Sequence, residues 1–392
     1  MSDPLAYLKE ELVALQEQGI RQHPRVLESE QRARTRFDDR DVVNLASNNY
    51  LGLAAHPRLK EAASRAAAEL GAGSGAVRTI AGTMSMHLEL ERRFAEFKGA
   101  ERALMFQAGF TANSGTVAAI LTKEDVIVSD ELNHASIIDG ARLSRAQIKV
   151  YPHKDVDAAA GLLAESADAN RKLLITDGVF SMDGDIAPLP GLVEAAEAAG
   201  AIMMIDDAHA SGVLGETGRG TVEHFGLDGR VDIQVGTLSK AVGVLGGFIA
   251  GPEHLIEWLV NRGRPFLFST SAPPAVVAAC MAALDVMRDE PERLSRLWDR
   301  TRFFKKGLSD LGLDTGISET PITPVIAGDE TKAVELSRGL WDEGVFTPAV
   351  VFPTVARGKA RVRTIVTADH TEEDLGEALA AFERVGKKLE LI

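Results

Sequence analysis

The sequence predicts an α/β protein: a mostly parallel central sheet with helices on both faces, followed by a smaller C-terminal α/β unit. Three observations predict it. Between about residues 42 and 270, short apolar runs alternate with helix-length amphipathic stretches. Several of those runs, LLIT at 173–176 and IMMI at 202–205 among them, are apolar at successive positions, as strands buried on both faces are. After residue 300 the same alternation restarts in shorter units.

Taken in order, residues 1–45 read as a helix over 4–18 and a polar arm with no core of its own. Residues 46–285 form the large unit, with strands expected at 103–106, 126–129, 148–151, 173–177, 202–205, 233–236, 247–250 and 266–269. Helix-length segments such as 155–165 and 192–198 separate several of them. A long helical stretch follows Pro273-Pro274 and runs toward Phe304. Residues 286–392 form the small unit: a strand at ITPVIAG, a helix over 333–343, a strand at ARVRTIVT and a closing helix from Glu372.

Composition narrows the function. The 392 residues are 45% hydrophobic and 26% charged, an ordinary globular balance. The net charge of −14 argues against a nucleic-acid partner, whose phosphates demand a basic surface. No run nears the roughly 18 apolar residues of a spanning helix, and the N-terminus MSDPLAYLKEELVALQEQG has the features of no signal peptide. The expected setting is therefore the cytoplasm, without a membrane partner. The single cysteine, Cys280, excludes an intrachain disulfide and a cysteine-built metal site.

Ligands of open α/β sheets collect beyond the C-terminal strand ends. There the chain places Asp177 and Ser181, then Asp206, Asp207 and His209, then Thr237, Ser239 and Lys240. ALMFQAGFTANSG adds a strand, a tight turn at Gly109 and a helix start; His134 follows another strand at SDELNHAS. Each has a bland reading. Asp206 and Asp207 suit helix capping, His209 a structural histidine, His134 a cap neighbour, and Lys240 a solvated turn. Together they meet the needs of pyridoxal 5′-phosphate (PLP). An amine able to lose its proton forms a Schiff base, a carboxylate holds the pyridine nitrogen protonated, and a helix N-terminus binds the phosphate. GAGSGA at 71–76 suggests a dinucleotide site instead, but it follows a helical run rather than a strand. A PLP aminotransferase remains a rival, sharing Lys240 and Asp206 without needing coenzyme A.

NNYLG at 48–52, GAVRTIAGT at 75–83, LNHASIIDG at 132–140, TDGVFSMDGD at 176–185, DDAHASGVLGETGRG at 206–220 and TLSK at 237–240 resemble the α-oxoamine synthases. These are fold-type I PLP enzymes that condense an amino acid with an acyl-CoA. RPFLFSTSAPP at 264–274 and ARVRTIVTADHT at 360–371 extend the likeness over residues 40–375. The resemblance implies that Lys240 is the Schiff-base lysine and the base at Cα, that Asp206 pairs with the ring nitrogen, and that His209 and Ser181 lie near O3′. It implies that His134 stacks on the ring and meets the substrate, that Ala108, Gly109 and Phe110 form the phosphate turn, and that Thr237 adds a hydroxyl. Thr270 and Ser271 match residues reaching the phosphate of a neighbouring subunit, which implies a homodimer with shared sites. Asn48 and Arg363 match positions that hold the amino-acid carboxylate.

Within that family Arg78 and SDELNHASIIDGARL lean toward condensation of glycine with acetyl-CoA, giving 2-amino-3-ketobutyrate; this is the leading expectation. NLASNNYLG, VFSMDGD and FSTSAPP are equally at home where alanine meets pimeloyl-CoA and the product is decarboxylated.

Overall fold

Seven strands form the central sheet of the computed structural model, which describes residues 3–17, 20–21 and 23–392. They are β1 (Arg102–Phe106), β2 (Val126–Asp130), β3 (Gln147–Tyr151), β4 (Lys172–Asp177), β5 (Ile202–Asp206), β6 (Ile233–Thr237) and β7 (Gly247–Gly251). Their order is β1-β7-β6-β5-β4-β2-β3. Only β7 runs antiparallel to its neighbours within this sheet; the other pairs are parallel.

The doubly apolar runs do what their pattern requires. Leu173 and Ile175 join one core with Ile127, Met204 and Val235, whereas Leu174 joins the opposite core with Val128, Met203 and Ile205. Helices Gly109–Ile120 and Ala135–Ser144 cover the first face, and Val156–Ala164 and Leu189–Ala199 the second. Burying each such Leu or Ile side chain is worth roughly 1.5–3 kcal/mol, so the sheet is rigid where its strand ends must be. The GAGSGA glycines follow helix Pro57–Leu70, whose C-cap is Gly71; they open no strand-to-helix turn.

Two elements differ from expectation. Residues 264–268 are a short helix, Arg264–Phe268, rather than a strand; Pro265 in its first turn presets helical φ. The long stretch after Pro274 is two helices, Pro274–Asp289 and Glu292–Asp310. Between them Glu290 is turned out of helical geometry (ψ 57°) by the following Pro291.

The N-terminal helix is Tyr7–Glu17, with no buried residue; the expected end at Gln18 lies outside the described residues. Arg34–Phe37 and Arg40–Asn44 make a hairpin that adds Val345–Phe346 as a third, parallel strand. Val43 and Leu45 thereby enter a core with Phe304, Val325, Val362 and Phe382. The arm thus packs into the C-terminal unit. A second small sheet, in the order Ile322–Gly328, Ala360–Ile365, Ala349–Val350, carries Arg361 and Arg363 toward the large unit. Among the described residues no helix is long and apolar enough to cross a membrane.

Candidate active site

A cavity of about 240 Å³ opens at the C-terminal edge of β4, β5 and β6. Ala108, Gly109 and Phe110 line one side of it; His134, Ser181, Asp206 and His209 line others, with Thr237 and Lys240. Nine residues for which the resemblance implied a role therefore share one space.

Local sequence explains the placement. Asp206 is the last residue of β5 and Thr237 the last of β6, so both side chains stand at the sheet edge. Ala108 is the N-cap of helix Gly109–Ile120, whose first amides have no intrahelical acceptor. Glycine is needed there. A Cβ on Gly109 would lie 3.2 Å from Thr237 Cβ, and one on Gly247 of β7 would lie 2.5 Å from the Gly109 nitrogen. The antiparallel strand passes directly against the turn.

Electrostatics set the protonation states. Burial lowers the Lys240 ammonium to about 8, although Asp206 and Asp177 pull it upward. An amine in that range is available near neutrality. Burial, with Lys240 and Arg363 adding to it, holds His209 well below the ordinary imidazole range. Its Nδ1 is 2.7 Å from the Tyr50 hydroxyl, whose own pKa burial raises. Asp206 accepts from the Ala208 amide at 2.8 Å and from Asn113 Nδ2 at 2.5 Å. Its neighbour Asp207 has a different task. Paired to Lys98 at 2.8 Å, with both side chains fully buried, it also accepts from the Thr221 amide and ties down the loop after β5.

Arg363 and Asn48 do not line the cavity itself but meet beside it. Arg363 Nη2 donates to Asn48 Oδ1 at 3.3 Å, and Nε donates to the Ser181 carbonyl at 2.5 Å. Two residues along the strand, Arg361 donates to the Met182 carbonyl (3.0 Å) and Asp183 Oδ1 (2.5 Å). Alternate arginines of one strand thus grip the serine loop. Thr270 and Ser271 lie outside the cavity, bound to the 74–77 segment: the Ser271 amide and hydroxyl both donate to Ala76 at 3.0 Å, and Thr270 bridges Val77. Arg78 is engaged too, donating through both terminal nitrogens to Glu91.

Sequence reasoning gave no role to Asn113, Ser136, Asp177, Tyr50 or Ser239, yet Tyr50 holds His209 and the others line the cavity. Two signals were available. Asn113 follows Gly109 by four positions, one helical turn along the same face, and Tyr50 sits inside NNYLG. The donor set suits PLP: an amine of lowered pKa, a strand-end carboxylate, two histidines, and a helix N-terminus at Gly109 beside the Thr237 hydroxyl.

Comparison with known proteins agrees. A family model described as aminotransferase class I and II matches residues 40–382. An 8-amino-7-oxononanoate synthase of Symbiobacterium thermophilum is 61% identical over 98% of this chain and 99% of its own. One of Thermoanaerobacter pseudethanolicus is 58% identical over 99% and 98%. Among solved structures, serine palmitoyltransferase of Sphingomonas wittichii superposes with a TM-score of 0.95 at 33% identity over 100% of both chains; a related SPT structure holds PLP.

These relatives correct the leading substrate expectation. Relatives 61%, 58% and 55% identical to this chain are 8-amino-7-oxononanoate synthases, and the glycine–acetyl-CoA assignment finds no support among them. The motifs used for that assignment line the cavity, as His134 and Ser136 do, or pack structurally, as the Arg78–Glu91 pair does, so they carry little information about acyl length. PLP dependence and the use of an amino acid with an acyl-CoA stand. With matching sequence over nearly its whole length, the chain belongs to the class I and II aminotransferase family and, within it, to the PLP-dependent α-oxoamine synthases.

Proposed function

We propose that this enzyme is an 8-amino-7-oxononanoate synthase of biotin biosynthesis, joining alanine to pimeloyl-CoA. The observation that carries the reading is the 61% identity over 98% of the chain to a relative of that name. In the net reaction the alanine Cα gives up its proton and bonds to the acyl carbonyl carbon. The thioester C–S bond breaks to release CoA, the Cα–carboxylate bond breaks to release CO2, and Cα is reprotonated.

In this reading Lys240, Asp206, His209, Ser181 and His134 would hold PLP, with Thr237 and the amides of Ala108, Gly109 and Phe110 at its phosphate. Bound PLP supplies the electron sink for charge developing at Cα. Asn48 and Arg363 bind the alanine carboxylate, the planar guanidinium offering a two-pronged grip. Lys240 takes the Cα proton, a task suited to an amine whose pKa lies near 8. His134, at the cavity wall, offers a hydrogen bond to the substrate.

We assign a homodimer with sites at the subunit interface. Thr270 and Ser271, which do not line the cavity of their own chain, would serve the phosphate of the neighbouring subunit. Ile80 and Phe268, 83% and 72% exposed on the adjoining segments, supply apolar surface for such contact. Residues 46–285 then hold the cofactor and 286–392 bring Arg363 to the substrate, with the 1–45 arm packed on the latter.

The test is CoA release from glycine, alanine or serine, each paired with acetyl-, pimeloyl- or palmitoyl-CoA. The highest kcat/KM is expected for alanine with pimeloyl-CoA, accompanied by one CO2 per CoA. A preference for either of the other acyl groups would overturn the assignment.

A further inference from the structure

Asn113 is buried at 1% exposure on the helix that begins at Gly109. Its Nδ2 lies 2.5 Å from Asp206 Oδ2 and 2.9 Å from Ser136 Oγ. A carboxylate only accepts hydrogen bonds, so the amide must turn its nitrogen, not its oxygen, toward Asp206. One N–H then serves Asp206 and the other Ser136. The amide oxygen is left buried without a hydrogen-bond partner. Stability alone disfavours that arrangement, which points to a functional constraint.

The consequence passes along the chain of bonds. Ser136 Oγ accepts from Asn113, leaving its own proton for His134 Nδ1, 2.7 Å away. The same ring nitrogen faces the Ser136 backbone N–H at 3.2 Å, a group that can only donate. His134 Nδ1 therefore meets two donors and must accept; in the neutral ring the proton sits on Nε2. The neutral form is favoured further by partial desolvation of the ring and by the Lys240 charge, which outweigh the opposing pull of Asp206.

We propose that Asn113 and Ser136 are positioning residues that set the His134 tautomer, with the Asp206 carboxylate orienting the Asn113 amide and the relay leaving Nε2–H as the donor His134 presents to the cavity. The carboxylate proposed to hold the cofactor ring thus also determines what the stacking histidine offers. The inference rests on the proposed roles of Asp206 and His134, and is independent of which acyl-CoA is used.

Ring-15N histidine NMR tests it on the holoenzyme and on the protein stripped of PLP, with the His134→Gln variant identifying the signal. In the wild type, Nδ1 should show an unprotonated and Nε2 a protonated nitrogen near neutral pH, with and without PLP. In Asn113→Ala a population protonated at Nδ1 should appear, with kcat/KM lowered by about 10-fold, the scale of losing an outer-shell partner. A wild-type ring protonated at Nδ1 overturns the proposal whether or not the variant folds, as does a tautomer unchanged in a folded Asn113→Ala. Neither result bears on the acyl-CoA assignment, which the CoA-release panel decides separately.

Discussion

Asp177 and Asp206 stand directly opposite each other in the register of β4 and β5, two carboxylates at adjacent strand ends. Burial and the Asp206 charge together push Asp177 well above the usual carboxylate range. Asp177 therefore gives up its proton less readily than an ordinary carboxylic acid, and its Oδ2 accepts the His134 amide at 3.0 Å. Asparagine is its close isostere, and one oxygen suffices for that amide. Asp177→Asn should hold PLP and activity to within about 3-fold, since it removes a charge that burial and Asp206 already disfavour and keeps the accepting oxygen. Asp206→Asn should lose about 100-fold or more in PLP affinity, the scale of truncating one partner of a buried charge pair. PLP titrations of the two variants check this; equal losses would refute the division of labour.

Lys240 should react as a lysine of lowered pKa. Because burial takes it from 10.5 to about 8, the free amine fraction grows as pH rises through 8. Covalent capture of PLP by the stripped protein should accelerate up to about pH 8 and then level off, followed by the growth of the visible absorbance band. Lys240→Ala should show no such band. Linkage has a definite sign here. The folded state releases its proton more readily than the unfolded one, so this residue lowers stability below pH 8, and that cost fades as pH climbs from 8 toward 10.5. A capture rate still climbing steeply above pH 10 would contradict the placement.

His153 ties the serine loop to the sheet from behind. Its Nδ1 lies 3.0 Å from Asp130, its Nε2 2.9 Å from Asp185, and Lys154 reaches Asp185 at 3.1 Å. Burial opposes the charge, but the two carboxylates win and raise the imidazole from 6.5 to about 9. The stabilisation is complete below pH 6.5 and is lost as pH rises through 9. The gap in melting temperature between wild type and His153→Gln should therefore be widest near pH 6 and shrink toward pH 9.5, for a contribution on the order of 2 kcal/mol. A gap that widened with pH would reverse the assigned charge.

Arg361 and Arg363 should separate into scaffold and substrate roles. Arg361 is 3% exposed and paired with the half-buried Asp183; Arg361→Met removes that partner and the donor to the Met182 and Lys359 carbonyls, and should cost about 1–3 kcal/mol in denaturant unfolding. Arg363→Lys should leave stability nearly unchanged and raise KM for the amino acid about 10-fold or more, with KM for the acyl-CoA unaffected, because an ammonium cannot reproduce the guanidinium fork. Steady-state kinetics with each substrate varied in turn distinguishes the two.

Read alone, the chain already determined that LLIT and IMMI would be buried on both faces, that polar groups would gather at one edge of a sheet, and that Lys240, Asp206 and His209 would share a site. Those properties rest on local pattern: alternation of apolar runs, glycine at a turn, acids at strand ends. Other features depend on contacts between distant segments. Val43 enters the C-terminal core through pairing with Val345, 302 positions away, and a hairpin with no local apolar excess gave no hint of it. Phe266 belongs to a helix because Pro265 starts one, which outweighs its strand-like composition. The bonds from Asn113 to Asp206 and Ser136, and from Tyr50 to His209, exist only once helices and strands are packed, since hydrogen bonding is decided at about 3 Å and not by spacing in the chain. Motif likeness also misjudged the acyl group, because the residues most visible in sequence gather at the strand-end cavity, whereas selection between two acyl chains depends on the shape of a wall assembled in three dimensions.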